Sequence, residues 1–338
     1  MTPKVNVGLL GAGRIGRVHA ENLAYRIPEA NLVAVADVFL EAAERCAADF
    51  QIPRFGQDPR AILDDDAVEA VIICSSTDTH AQLISEAAEA GKHIFCEKPI
   101  ALDLARIDEA LAAVGQSGVK LQIGFNRRFD ANFKAVRDLV AAGKIGTPHI
   151  VRITSRDPAP PPIDYVKVSG GIFLDMSIHD FDMARYLVGS EVEEIYAAGG
   201  VMIDPAIGQA GDIDTAVMTL RFANGAIGAI DNSRQAVYGY DQRVEVFGSE
   251  GGIVVSNNRP HNAVYSNAEG VQSALPLYFY LERYREAYVA EMKAFVEAIQ
   301  RDTPPPVAGR DGRIPVVMGL AAWKSYRENR PVKLSEID

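Results

Sequence analysis

Val5-Asn-Val-Gly-Leu-Leu-Gly-Ala-Gly-Arg-Ile-Gly16 reads as a buried strand, a glycine-rich turn and the start of a helix carrying Val18, Ala20, Leu23 and Ala24. In the turn Gly11-x-Gly13-x-x-Gly16 each glycine has a physical task. Gly11 lets the chain leave the strand sharply, Gly13 lets backbone approach a pyrophosphate, and Gly16 lets the helix sit close on the sheet. The helix start offers unpaired N–H groups and a partial positive charge to phosphates. A second apolar run, Leu32-Val-Ala-Val-Ala36, ends in Asp37, twenty-one residues after Gly16. A carboxylate there meets the adenosine ribose hydroxyls of a dinucleotide. Asp37 is followed by Val38 and Phe39, with no arginine to receive a 2′-phosphate, so NAD is expected over NADP.

At 338 residues the chain exceeds one typical domain, and two are expected. A net charge of −11 argues against nucleic acid or an anionic membrane as partner. Cys46, Cys74 and Cys96 have the spacing of neither a disulfide frame nor a zinc set, and read as small buried residues. No apolar run reaches membrane-spanning length and the first strand begins without a leader, so a cytoplasmic location is expected.

Downstream of Asp37, helical spacing covers residues 40–50, and Pro59 can open a brief helix. Ala70-Val-Ile-Ile-Cys74 is wholly apolar, as a strand covered on both faces must be. Ser75-Ser-Thr-Asp-Thr-His80 reads as a loop before a helix over 81–90. His93-Ile-Phe-Cys-Glu97, a helix over 104–114 and Leu121-Gln-Ile-Gly124 complete the alternation. Six strands with intervening helices predict a doubly wound parallel sheet, a Rossmann domain over residues 1–124.

From residue 125 to 338 the pattern changes. A helix over 133–142 leads to a strand over 149–155, a stiff loop Asp157-Pro-Ala-Pro-Pro-Pro162 and a helix over 177–187. Strand-like runs then follow one another, with Asn224-Gly225 as a hairpin signal. This predicts an α+β domain with a large, open, mainly antiparallel sheet. Covering its bare face on further copies of the chain gives a homo-oligomer, with a tetramer favoured.

Two places carry chemistry beyond the glycine turn. Glu97-Lys98-Pro99 stands at the carboxyl end of a parallel strand, where ligands of such sheets bind. Asp175-x-x-x-His179 enters a helix, and i, i+4 side chains share one face, so one ligand can meet both. Histidine titrates near neutrality and suits a proton acceptor from an alcohol. The bland alternatives are a surface lysine, an N-cap aspartate and a satisfied helix histidine. His19 and His80 are too dispersed in sequence to suggest a metal site, and none is expected.

Gly11-Ala-Gly-Arg-Ile-Gly16, Cys96-Glu-Lys-Pro99, Gly124-Phe-Asn-Arg-Arg-Phe129 and Gly170-Gly-Ile-Phe-Leu-Asp175-Met-Ser-Ile-His179-Asp-Phe-Asp182 together resemble the glucose–fructose oxidoreductase/inositol dehydrogenase (Gfo/Idh/MocA) family, in order and over nearly the whole chain. The last two blocks are most similar to its inositol dehydrogenases. The resemblance implies NAD-dependent oxidation of a ring hydroxyl of a cyclic polyol, myo-inositol to its 2-keto form. It assigns catalysis to Lys98, Asp175 and His179, with His179 as general base, Asp175 orienting it and Lys98 stabilising the alkoxide. It implies a cis peptide before Pro99. It gives cofactor contacts to Gly11, Gly13, Arg14, Ile15, Gly16, Asp37, Ser75, Ser76, Thr77, His80, Glu97, Lys98 and Asn126. Polyol contacts fall to Lys98, Arg127, Asp157, Asp175, His179, Tyr238 and Tyr240, although the two tyrosines, two apart on a strand, equally suit packing. The residues leave open scyllo- or D-chiro-inositol, an aldose such as glucose, a glycosidase with transiently used NAD, and a non-catalytic NAD-binding regulator.

Overall fold

The computed structural model describes residues 3–338. Two compact units divide the chain: the first holds everything up to Phe129 together with Glu286–Ile314, the second Asp130–Arg285 with Pro315–Asp338. A single boundary at Gly124 therefore describes neither unit completely, because the chain returns to the first after Arg285.

In the first unit, β1 (Val5–Leu10), β2 (Ala30–Ala36), β3 (Arg54–Gly56), β4 (Ala70–Ile73), β5 (His93–Cys96) and β6 (Leu121–Ile123) form a parallel sheet in the order β3-β2-β1-β4-β5-β6. The helices are α1 (Arg14–Tyr25), α2 (Leu40–Phe50), α3 (Arg60–Leu63), α4 (Thr77–Glu89) and α5 (Leu104–Ser117). Val7, Leu9, Val71, Ile72 and Ile73 are fully buried, as strands covered on both faces require. The strand order reverses between β1 and β4, which opens a crevice at their carboxyl ends. The expected loop over Ser75–His80 is shorter than read: α4 already begins at Thr77, after Ser76. Asp78 in the first turn suits the positive end of a helix, while Ser76 at the cap position makes no side-chain cap hydrogen bond.

The second unit contains α6 (Ala131–Ala141), β7 (Pro148–Arg156), α7 (Ile163–Val166), α8 (Gly171–Asp175), α9 (Ser177–Val188), β8 (Val192–Gly200), α10 (Pro205–Gln209), β9 (Thr215–Phe222), β10 (Ile227–Ser233), β11 (Asp241–Gly248) and β12 (Gly252–Val255). A separate hairpin, β13 (Val264–Asn267) with β14 (Gly270–Ser273), and α11 (Tyr280–Arg283) follow. Next, α12 (Arg285–Gln300) belongs from Glu286 onward to the first unit. Then α13 (Gly309–Glu328) changes unit at Pro315, inside the helix, and β15 (Val332–Lys333) ends the sheet. The sheet order is β12-β11-β7-β10-β9-β8-β15. Its neighbours are antiparallel except β7 and β10. That pair is parallel because a long crossover, α7 to β9, returns the chain in the same direction. Asn224-Gly225 does close the β9–β10 hairpin, with Gly225 at φ 87°. On β9, Ala216, Met218, Leu220 and Phe222 are buried while Val217, Thr219 and Arg221 face outward. Helix α9 packs on the inward side, against β7 and β10.

Candidate active site

The glycine turn of the first unit is built for close backbone approach. Gly11 has φ 102°, and a Cβ there would stand 2.6 Å from the Cys74 carbonyl. A Cβ on Gly16 would collide with the Gly11 carbonyl oxygen. At Gly13 a Cβ would meet nothing within 4 Å: the backbone there faces open space. No side chain caps the start of α1 and no acid sits in its first turn, so its N–H groups face that space uncapped. Asp37 stands beside them. Its Oδ2 accepts the Ala12 N–H at 2.7 Å and its Oδ1 the Phe39 N–H at 2.9 Å. Arg14 is exposed, Ile15 half-buried, and Ser75, Ser76 and Thr77 line the exit of β4 at the start of α4. This donor set and open cradle fit a dinucleotide. Sequence reasoning missed the apolar surface next to Asp37, where Val38 and Phe39 are 75% and 73% exposed.

Two residues expected at the cofactor are engaged by the protein. His80 is buried, with Nδ1 2.8 Å from the Pro99 carbonyl and Nε2 3.0 Å from the Ser75 carbonyl. Its ring ties the exit of β4 to the Lys98-Pro99 segment, whose peptide is cis. Burial pulls the imidazole below its ordinary value, with the two carbonyls opposing. Glu97 turns into the interior, its Oε1 2.8 Å from His19 Nε2. Lys98, the next residue, is half-buried; Asn126 and Arg127 are buried in the turn after β6.

In the second unit Asp175 ends α8 and His179 is the third residue of α9, with Met176 at φ −94°, ψ −59° between them. The i, i+4 spacing thus spans a joint between two short helices instead of one continuous helix. Both side chains are half-buried. Asp175 Oδ1 accepts the Tyr165 hydroxyl at 2.8 Å and its Oδ2 an Arg234 N–H at 2.9 Å. Arg234 is buried and also lies 3.7 Å from Asp157. Burial alone would pull its guanidinium down, yet the Asp175 and Asp157 carboxylates hold it above its ordinary value. Burial and Asp175 push the Tyr165 hydroxyl up, so it stays a donor. Two expected polyol residues, Asp157 and Asp175, therefore converge on an arginine that no local pattern announces. Tyr238 donates to Asp241 at 2.6 Å and accepts from Arg156 at 3.2 Å. Tyr240 is buried edge-on to Tyr284, centroids 6.0 Å apart.

Comparison with known proteins places both units. Residues 5–125 match the model of the oxidoreductase family with an NAD-binding Rossmann fold, and 133–254 match the GFO/IDH/MocA C-terminal domain. The chain belongs to the GFO/IDH/MocA oxidoreductase family. Within that family it is 51% identical to the myo-inositol 2-dehydrogenase of Thermotoga maritima, over 98% of this chain and 99% of that one. It is 47% identical to the inositol 2-dehydrogenase of Rhizobium meliloti, again over 98% and 99%. Its fold superimposes with a TM-score of 0.92 on the scyllo-inositol dehydrogenase of Lactobacillus casei with bound NAD(H) and scyllo-inositol. That structure is 30% identical and covered over 98% of this chain and 99% of its own. The parallel unit of this GFO/IDH/MocA member is thus an NAD-binding domain, and the cofactor is NAD. No helix among the described residues is long and apolar enough to cross a membrane.

Proposed function

We infer that this chain is an NAD-dependent inositol 2-dehydrogenase, oxidising myo-inositol at a ring hydroxyl to its 2-keto form. One observation carries the reading: the end-to-end likeness to inositol 2-dehydrogenases in a chain that carries Lys98, Asp175 and His179. NAD, when bound, supplies the two-electron acceptor for the carbinol carbon. The chain's own residues do the rest. His179 takes the proton of the reacting hydroxyl, and Lys98 steadies the oxygen as charge develops on it. Asp175, held by Arg234 and Tyr165, and Asp157 beside the same arginine offer acceptors to further ring hydroxyls. Arg127 and Tyr238 are the remaining polyol candidates. Gly11 to Gly16 with the start of α1 cradle the pyrophosphate, and Asp37 accepts the ribose diol.

Assembly and location extend the proposal. The outward face of the second unit's sheet carries Val217, Ile227 and Phe247, each about half exposed, which supports a homo-oligomer, tetramer favoured. Cys46, Cys74 and Cys96 are free thiols in the structure, which supports a reducing, cytoplasmic setting.

NADH absorbance over a panel of inositol isomers and aldoses tests the reading. Turnover is expected with myo-inositol, and His179→Ala should lower it about 10²- to 10⁴-fold while NAD binding survives. Unchanged turnover in that variant removes His179 from the mechanism, and no turnover on any cyclitol removes the activity.

A further inference from the structure

The first unit buries a set of charges that dinucleotide binding does not call for. His19 on α1, Glu97 after β5 and Glu291 on α12 bring one nitrogen and two carboxylate oxygens within 4.8 Å of one another. His19 and Glu291 are fully buried and Glu97 is nearly so. The surroundings are apolar: the His19 ring meets Phe95 and Tyr288 edge-on, with centroids 5.1 and 5.8 Å away. His19 Nε2 and Glu97 Oε1 share a hydrogen bond at 2.8 Å, whereas among the described residues neither oxygen of Glu291 has a partner.

Two carboxylates this close in an apolar interior cannot both stay ionised, and one imidazolium compensates only one of them. A divalent ion is the other way to neutralise the trio. However, two ligands on a tetrahedral ion with bonds of about 2.0 Å stand roughly 3.3 Å apart, wider than the closed His19–Glu97 contact. Cys74, His80 and Cys96 feel the Glu97 charge, Tyr288 meets the His19 ring, and Lys98 follows Glu97 in sequence. Burial, with the Glu97 charge adding to it, pushes the Cys74 and Cys96 thiols well up, so neither is charged, and burial pulls the His80 imidazole down against the two carbonyls that hold it.

We propose that Glu291 is a neutral carboxylic acid whose proton lets Glu97 remain ionised against His19, and that the trio is a positioning device for Lys98. Burial, with the Glu97 charge adding to it, pushes the Glu291 carboxyl far above the usual carboxylate range, in keeping with this. The anchoring is steric as well as electrostatic. A Cβ at Gly124 would stand 2.9 Å from Glu97 Oε2, so the carboxylate is seated between His19 and the backbone of the next strand exit. The Glu97 N–H donates to the Ile73 carbonyl at 3.0 Å, and the Gly124 N–H to the Cys96 carbonyl at 2.8 Å. With Glu97 held inward at both its side chain and its backbone, the chain that carries its neighbour Lys98 is held as well.

The effect on Lys98 rests on the catalytic role proposed for it above; the charge state of Glu291 does not. Infrared spectra of the cofactor-free protein at neutral pH should contain the C=O stretch of a buried protonated carboxyl. That band should be missing from Glu291→Gln. Its absence from wild type, or one tightly held divalent ion per chain by elemental analysis, overturns the neutral acid. Glu291→Ala should lower kcat about ten- to a hundredfold with the NAD Kd unchanged, and Glu291→Gln should recover most of the loss, being neutral like the acid. Glu97→Gln, which breaks the pair with His19, should lower kcat without restoring it at any pH. A kcat untouched by Glu97→Gln overturns the positioning role if Lys98→Ala abolishes turnover in parallel. If Lys98→Ala is itself active, the catalytic reading of Lys98 fails, while the infrared result still decides the charge state.

Discussion

Arg234 donates to Asp175 at 2.9 Å across 59 residues of sequence, so the carboxylate expected to serve His179 is itself held by a buried guanidinium. Removing one partner of such a pair leaves a buried charge uncompensated, which costs about 3–5 kcal/mol. Arg234→Met should therefore lower the urea midpoint strongly and reduce kcat/KM for the polyol more than it changes NAD affinity. Asp175→Asn should be milder in stability, since Asp157, 3.7 Å from the guanidinium, still compensates Arg234. Equal stability losses from Arg234→Met and from the exposed Arg259→Met would contradict the pairing argument.

Asp37 is held by two backbone N–H groups, which fix its orientation and leave lone pairs for a ribose diol. Asp37→Ser removes the charged acceptor, worth about 1.5–3 kcal/mol, or roughly ten- to a hundredfold in NAD affinity. It also removes the repulsion against a 2′-phosphate. The ratio of kcat/KM with NAD to that with NADP is the readout. It should fall in the variant, and an unchanged ratio would remove Asp37 from cofactor choice.

The dinucleotide half was legible because its signals are local. Strand, glycine turn, helix and acid follow one another within the first thirty-seven residues, and wholly apolar strands can only be covered on both faces. What stayed hidden depends on distant partners. Glu291 reads as an ordinary helix acid until α12 is seen packed in the first unit beside His19. Arg234 follows a strand with no periodic signal, and Asp130 meets Arg283 from 153 residues away. The parallel pairing of β7 with β10 is likewise set by a crossover whose direction no dipeptide encodes. The start of α4 is a different case, since Asp78 in its first turn is a helix-start signal inside a segment that reads as a polar loop.

Asp241 gives the fold an acid-sensitive contact. It is buried and accepts from Arg243 at 2.7 Å, Tyr238 at 2.6 Å and Asn257 at 2.6 Å. Burial alone would raise its carboxyl, but these three donors hold it below its ordinary value. A depressed folded value means the stabilisation is complete above the unfolded value, about 3.9, and is lost as pH falls through the folded one. Asp241→Asn should thus cost about 1–3 kcal/mol near neutrality. The gap to wild type should close progressively below about pH 4. Urea unfolding across that range is the measurement, and a gap independent of pH would rule the linkage out.

The outward face of the second unit's sheet sets the last test. Register places Phe247, Ile150 and Ile227 side by side across β11, β7 and β10, and Ile227 and Phe247 are 51% and 48% exposed. Flanking this row, Arg152 pairs with Glu245 at 3.4 Å and Arg221 with Glu194 at 3.6 Å, so the apolar strip has a polar rim. An apolar centre inside a charged border is the anatomy of an interface. Placing a carboxylate in its middle leaves an unpaired charge desolvated on association, whereas in a monomer that side chain stays in water and costs little. Ile227→Glu with Phe247→Glu should therefore shift the light-scattering mass at micromolar concentration from an oligomer to a single chain. The NAD Kd should stay within about threefold, because neither substituted residue belongs to the cradle, which is built wholly from the first unit. A wild-type protein already monomeric at that concentration, or a double variant that keeps its full mass, would show that this face does not carry the assembly.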